Sequence, residues 1–224
     1  MMDRRIRHGI LYVSWRRKNA GGFLKLSSIC ELLVIVKRIK YNIFYKTLTG
    51  GICMGSYLNP GNFSFKGSLR SKIYVDKSKL IAKTNEALCT EQKYICLSRP
   101  RRFGKSMAAN MLAAYYDRSE NTEELFQNLA ISKEDSYKEN LNQYDVIKIN
   151  MQEFLSMAGT MEEMLEMLKN YLVSDFEETY PEVRFRDEKN LIQVMKDVFS
   201  YTKCPFVILI DEWDCLFREY KQDK

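Results

Sequence analysis

One short stretch of the 224-residue sequence contains residues whose types and spacing suit the binding of a phosphate group. It is Gly104-Lys105-Ser106, which follows an apolar run and precedes a helix-like pattern. A helix that begins here points unpaired N–H groups and the positive end of its dipole at an anion. Gly104 would let the backbone approach a phosphate, and Lys105 would reach the β- and γ-phosphates of a nucleotide. The Ser106 hydroxyl would ligate Mg²⁺.

The stretch departs from the usual phosphate-loop pattern at its first position. That pattern requires a glycine at the place where this chain has Arg99, which Pro100 follows. By itself Gly-Lys-Ser is a weak signal, because a turn with a capping serine produces the same three residues. A second signal is therefore needed.

The second signal is a continuous apolar run, residues 206–210, that ends in Asp211 and Glu212. It predicts a strand buried on both faces, as in a parallel sheet. At the carboxyl end of that strand, Asp211 would hold Mg²⁺, usually through water, and Glu212 would act as general base on an attacking water. An apolar strand that ends in two solvated acids is the alternative. The two stretches together favour nucleotide binding.

Alternating apolar runs and amphipathic stretches predict the elements that position these residues. Strands are predicted at 73–75, 94–97, 146–149 and 206–210. Helices are predicted at 79–88 and 106–116, with a shorter one within 122–129 and two amphipathic ones after residues 160 and 190. Thr160 and Glu163 have the spacing of a capping box. Strands that alternate with helices indicate an α/β fold with a doubly wound parallel sheet.

Composition excludes several other classes of function. The only histidine is His8, so the main body cannot form a His-based zinc site, a Ser-His-Asp triad or a Cys-His pair. The six cysteines include no CxxC pair, which predicts reduced thiols and a cytoplasmic protein. The longest apolar run near the N-terminus is too short to span a membrane.

Charge divides the chain into two parts. Residues 1–53 contain eleven Lys or Arg and two Asp or Glu, a net charge of +9, whereas the remainder carries −3. We therefore interpret 1–53 as a basic leader and 54–224 as the main domain. The leader is predicted to be disordered or an over-long gene prediction with Met54 as the true start; a membrane or nucleic-acid tether is a third interpretation. The acidic main body does not support nucleic-acid binding.

Three segments resemble the AAA-ATPase-like family of bacterial P-loop proteins: residues 74–78, 98–106 and 209–214. The Arg-Pro-Arg-Arg-Phe-Gly-Lys-Ser form is that family's own variant of the phosphate loop. The resemblance implies an ATP-binding domain that uses ATP and Mg²⁺. It also implies a P-loop NTPase-type doubly wound parallel sheet, usually followed by a PD-(D/E)XK nuclease-like domain.

The resemblance also implies the residues of the site. Those expected to bind the nucleotide are Arg99, Arg101, Arg102, Phe103, Gly104, Lys105, Ser106 and Asp211. Lys105 and Glu212 would be catalytic, and Ser106 and Asp211 would ligate Mg²⁺. Since the sequence stops soon after Asp211, we expect a sheet that is incomplete at its C-terminus and little hydrolysis. The alternative is a non-catalytic fragment that retains at most nucleotide binding or a protein-interaction role.

Several smaller features allow more than one interpretation. The three arginines of the loop would line the phosphate site, form solvated surface or contact nucleic acid. The pair Asp76-Lys77 would pack under the nucleotide or form an exposed salt bridge. Asp214 would support the Mg²⁺ site from outside or cap a helix.

Overall fold

The computed structural model describes residues 56–98 and 103–216, and the backbone of two short strands at 4–7 and 10–13. The strands are β1 (Arg4–Arg7), β2 (Ile10–Val13), β3 (Cys96–Leu97), β4 (Asp145–Asn150) and β5 (Phe206–Asp211). The helices are α1 (Phe63–Leu69), α2 (Lys79–Ala87), α3 (Lys105–Tyr116), α4 (Glu123–Phe126), α5 (Tyr137–Asn140), α6 (Met151–Met157), α7 (Met161–Thr179) and α8 (Leu191–Thr202), with a 3₁₀ helix at Ala130–Lys133.

A two-stranded parallel sheet lies at the centre of the described residues. β4 and β5 pair from Asp145 opposite Phe206 to Asn150 opposite Asp211. The other edge of β4 is covered by the segment around Leu58, which bridges Ile147 in the antiparallel direction. The long crossover between the two strands contains α6, α7 and α8, as a parallel connection requires.

Helices cover both faces of this sheet. Val146, Val207 and Leu209 pack with Met111 and Tyr115 of α3. On the opposite face, the other apolar residues of the strands join the core formed with α7 and α8; they are Ile147, Ile149, Phe206, Ile208 and Ile210. Because neighbours along a strand point to opposite faces, β4 and β5 contribute to both cores. The class α/β is therefore correct, with a small parallel sheet.

The C-terminal end of α3 is fixed to the beginning of β4. The Tyr144 N–H donates to the Tyr116 carbonyl at 2.9 Å, and the Asn142 N–H donates to the Tyr115 carbonyl at 2.8 Å. The Tyr115 hydroxyl also donates to the Tyr137 carbonyl at 2.6 Å. Both α3 tyrosines are fully buried. The C-terminal end of α3 therefore lies beside the amino end of β4.

Most predicted helices agree with the structure to within a residue or two. Thr160 and Glu163 form the predicted capping box, in which each side chain accepts from the other residue's backbone N–H. The buried residues of α7 include Met164, Leu168 and Leu172, which belong to the core. The polar region after α3 contains α4, the 3₁₀ helix and α5, more helix than the single one predicted.

Two predicted strands differ from the structure. Residues 73–75 form no strand, and Ile73 and Val75 are 82% and 64% exposed. The strand predicted at 94–97 is reduced to the half-buried β3, which pairs antiparallel with β2 and not with the parallel sheet. Residues 73–75 have no strand partner; the segment is held instead by hydrogen bonds from the backbone of Ser78 and Ala130 to the carboxylate of Asp76.

β1 and β2 lie within the segment interpreted as a basic leader, and the rest of that segment lies outside the described residues. The division of the chain at residue 54 stays a prediction. Within the part that the structure describes, no helix is both long and apolar enough to cross a membrane.

Candidate functional site

The predicted phosphate-binding residues lie at the N-terminus of α3. Gly104 is the N-cap, with φ 71° and ψ 40°, and no side chain caps the first turn. This left-handed conformation costs a glycine little but strains any residue with a Cβ. Lys105 is half-buried and Ser106 is exposed at the first positions of the helix. The unpaired N–H groups of the first turn are therefore not blocked by a side-chain cap.

A lysine from a distant part of the sequence contacts this turn. Lys77 Nζ donates to the carbonyl of Phe103 at 2.6 Å. A Cβ on Gly104 would lie only 2.7 Å from the same nitrogen. The turn before α3 thus combines a left-handed glycine with a close cation, and neither an alanine nor a larger residue fits there without displacing Lys77.

Asp76 holds the segment that carries Lys77. Its carboxylate accepts from the Ser78 N–H at 2.7 Å and from the Ala130 N–H at 2.8 Å, and Ser78 Oγ accepts from the Ile131 N–H at 3.0 Å. Burial alone would raise the pKa of Asp76, but these hydrogen bonds hold that pKa below its usual value. The predicted pair Asp76-Lys77 is therefore not a salt bridge between its own members: each residue has a separate partner.

Asp211 and Glu212 lie at the carboxyl end of β5. Asp211 is the last residue of the strand and pairs with Asn150 of β4. Its carboxylate accepts from the Glu212 N–H at 3.0 Å. Glu212 has φ 51°, an unusual value for a residue with a side chain, and its carbonyl accepts from the Cys215 N–H at 3.0 Å. The chain therefore turns sharply directly after Asp211.

The start of α3 and the end of β5 lie at the same level of the fold. Lys148 of β4 donates to Asn110 Oδ1 of α3, which fixes one point of contact between helix and strand. Ser106 lies about 6 Å further toward the start of the helix, at 1.5 Å per residue. Asn150 and its partner Asp211 lie about 7 Å further along the strands, at 3.3 Å per residue. α3 runs antiparallel to the strands, so these displacements have the same direction.

The face of Asp211 follows from the alternation of β5. Val207 and Leu209 pack with the α3 core, and Asp211 is the next residue of that face. Lys148 is on the same face, between Val146 and Asn150 of β4. The structure thus brings Gly104, Lys105 and Ser106 to the edge of the sheet where Asp211 and Glu212 are located.

Lys148 is a site residue that the sequence analysis missed. It is a half-buried lysine in an otherwise apolar strand segment. Burial lowers the pKa of Lys148, and the negative charges of Asp211 and Glu153 oppose this effect. The sequence contained one indication of this site residue: a lysine within a strand that is covered on both faces is uncommon unless its ammonium has a partner.

Three residues of the predicted site, Arg99, Arg101 and Arg102, lie outside the described residues. The adjoining Phe103 is 60% exposed. Asp214 directly precedes a helical residue, Cys215, which fits the interpretation as a helix cap.

A different groove lies at the other end of the sheet. It has a volume of about 380 Å³ and is lined by polar residues that include Arg118, Glu120, Asn142 and Gln143. These residues flank the amino end of β4, and none of the predicted site residues is among them. The groove is polar and open, and the chemistry predicted from the sequence belongs to the opposite edge.

The residues at the carboxyl edge fit a nucleotide with Mg²⁺. The Ser106 hydroxyl and the Asp211 carboxylate are hard oxygen donors, and Mg²⁺ commonly takes only one or two protein ligands together with substrate phosphates. Gly104 has no side chain and a left-handed conformation at the start of α3, which suits a phosphate against the backbone.

The profile of the predicted AAA-ATPase family matches residues 64–224. The match covers well over half of the chain, and the chain belongs to this family. No curated protein and no solved structure matches the sequence. The resemblance noted from the motifs is therefore confirmed at the level of the family.

Proposed function

We propose that this chain binds ATP with Mg²⁺ at the carboxyl edge of the parallel sheet, between the N-terminus of α3 and the turn after β5. The observation that best supports the proposal is the common level of Ser106 and Asp211, estimated from the Lys148–Asn110 contact, which would allow both side chains to reach one Mg²⁺ ion. Membership of the predicted AAA-ATPase family supports the same conclusion.

Each residue has a role that its position suits. The N–H groups of the first turn of α3 would bind the phosphates, and the Lys105 ammonium would bind the β- and γ-phosphates. Ser106 and Asp211 would hold Mg²⁺, which neutralises phosphate charge when bound. Glu212 would orient a water and accept its proton. Arg99, Arg101, Arg102 and Phe103 would complete the phosphate loop.

The proposal extends to the fold and to the partner. By family resemblance we propose a P-loop NTPase-type arrangement, with the loop before α3 facing the carboxyl edge of β4 and β5; β3, the strand before the loop, is not part of that sheet in the structure. By family resemblance, ATP binding would be coupled to a nuclease-like domain in the cytoplasm of a bacterium.

One observation favours binding without hydrolysis as a second candidate function. β3, the strand before the loop, pairs with β2 and not with β5. Phosphoryl transfer depends on positioning, and an error of about 1 Å in the reacting groups can reduce the rate about 100-fold. With the loop and β5 in different sheets, Glu212 would not be fixed precisely enough relative to Lys105 for turnover.

A titration with a fluorescent ATP analogue tests the binding. Lys105→Ala removes a charge-assisted contact of about 1.5–3 kcal/mol, so the affinity should fall about 10- to 150-fold. Lys196→Ala is the matched control, because Lys196 is exposed on α8, which packs on the face of the sheet opposite α3. Equal affinities of Lys105→Ala and the parent would refute the site.

Hydrolysis is tested separately with phosphate release. If the chain is an ATPase, Glu212→Gln abolishes turnover while the analogue still binds. If the chain only binds nucleotide, the parent and Glu212→Gln release phosphate at the same background rate.

A further inference from the structure

Lys148 has no role in the proposed function, yet it is the charged side chain of β4 that faces α3. On this face of the sheet Lys148 lies between Val146 and Asn150 and opposite Leu209, and Val146 and Leu209 belong to the apolar core formed with α3. Removing an ammonium from water is costly unless other groups compensate its charge. We therefore expect the Lys148 ammonium to have hydrogen-bond acceptors or negative charges nearby.

The structure supplies a neutral partner and two charges. Lys148 Nζ donates to Asn110 Oδ1 in the middle of α3. Asp211 lies on the same face, two residues beyond Leu209, which is the partner of Lys148 on the neighbouring strand, and Glu153 lies in the first turn of α6; both negative charges favour the ammonium. Glu153 already accepts a hydrogen bond from the Tyr57 hydroxyl at 3.1 Å and lies on another element, α6. Asp211 is therefore the acid that lies with Lys148 on the face of the sheet covered by α3.

The amide partner connects Lys148 to the loop side of the site. Asn110 is four residues after Ser106, and residues separated by four positions lie on one face of a helix. A line of polar groups thus runs beneath the edge of the sheet, from Ser106 through Asn110 and Lys148 to Asp211. Its two ends are the two residues expected to ligate Mg²⁺.

We propose that Lys148 is the internal counter-ion of Asp211, held by Asn110, and that it lets this edge accept nucleotide phosphates without a metal ion. The second part rests on the proposed function. Without a metal, the Asp211 carboxylate repels the phosphates, and the Lys148 charge cancels this repulsion. When Mg²⁺ is bound it neutralises the carboxylate itself, so the lysine then contributes less. Lys148 is accordingly a positioning residue that acts through Asp211.

The charge argument predicts an unequal effect of Lys148→Met on ATP binding. In EDTA the variant should bind the fluorescent ATP analogue about tenfold more weakly than the parent, and with saturating Mg²⁺ less than threefold more weakly. Lys148→Arg should retain most metal-free binding, because it keeps the charge. Lys196→Met is the matched control and should change neither value.

A second variant identifies the acid. In an Asp211→Asn background, Lys148→Met should weaken metal-free binding clearly less than in the parent, whereas in a Glu153→Gln background it should weaken binding as much as in the parent. If the effect disappears with Glu153→Gln instead, the assignment of Asp211 is overturned. An equal loss with and without Mg²⁺ would mean a merely structural lysine and would also overturn the proposal.

A double-mutant cycle on the nucleotide-free protein keeps this test separate from the proposed function. Urea unfolding of the parent, Lys148→Met, Asp211→Asn and the double variant should show coupling. The unfolding equilibrium constant should change at least threefold more for Lys148→Met in the parent than in Asp211→Asn. Additive effects would refute the pairing, whether or not ATP binds. If the pair is coupled but neither parent nor control binds ATP, the proposed function and the role of Lys148 toward phosphates are both refuted, and only the pairing stands.

Discussion

Gly104→Ala is expected to destabilise the turn before α3 through two separate effects. A residue with a Cβ pays about 1–2 kcal/mol in the left-handed conformation that Gly104 adopts, with φ 71°. The added Cβ would also lie 2.7 Å from Lys77 Nζ, which then has to leave the Phe103 carbonyl. Losing that exposed hydrogen bond costs about 1 kcal/mol. The total expected loss is about 2–3 kcal/mol of unfolding free energy.

Urea unfolding monitored by circular dichroism measures this loss of unfolding free energy. A second substitution separates the backbone part of the loss from the part due to the Lys77 side chain. In a Lys77→Ala background the side-chain clash is absent, so Gly104→Ala should cost only the backbone part, about 1–2 kcal/mol. Gly67→Ala is the matched control. Gly67 lies inside α1 with no atom within 4 Å of an added Cβ, so alanine there should stabilise by about 0.5–1 kcal/mol.

Two results would refute this reasoning. The first is a Gly104→Ala protein as stable as the parent, which would mean that the glycine does not need its left-handed conformation. The second is an equal cost with and without Lys77, which would mean that the lysine does not occupy the space beside the turn.

Two further predictions concern carboxylates: the buried Asp145 and the exposed, hydrogen-bonded Asp76. Asp145 is fully buried and accepts from Arg118 at 2.8 Å, from the Tyr180 hydroxyl at 2.6 Å and from Asn59 at 3.0 Å. Asp145→Ala leaves the guanidinium without its acid and should reduce the unfolding free energy by about 3–5 kcal/mol in urea, whereas a loss below 1 kcal/mol would contradict the network. The lowered pKa of Asp76 should make stability fall as the pH drops below about 3.9, the ordinary value for aspartate, and through the lower folded-state pKa. Asp76→Asn should be less stable than the parent at neutral pH and should lose this part of the acid dependence; parallel pH profiles of the two proteins would argue against it.

The helices and the site motif were predictable because their signals are local. Gly104 before a helix-like pattern gave the start of α3, and the spacing of Thr160 and Glu163 gave the start of α7. Both features depend on hydrogen bonds and backbone conformations within one turn. The apolar run that ends in Asp211 similarly gave β5, since no polar residue interrupts it.

The features that the sequence did not indicate depend on contacts between distant segments. Residues 73–75 have β-branched and aromatic side chains typical of a strand, but the carboxylate of Asp76 binds the backbone of Ser78 and Ala130 and the segment forms no ladder. The pairing of β3 with β2 likewise could not be predicted, because the order of strands in a sheet is not encoded in any local pattern. The position of Lys148 depends on Asn110, which lies 38 residues earlier in the sequence, and no local pattern indicates that contact.

The anchoring of α3 at one end has a consequence for how this edge of the fold moves. The last four residues of the helix are almost completely buried, from Ala113 to Tyr116, whereas Ser106 and Met107 in the first turn are exposed. Local opening therefore costs least at the first turn and approaches the cost of global unfolding near the last. An anion that binds at Gly104 has to order only about one turn of chain, so the entropy lost on binding stays small and the rest of the domain need not change shape.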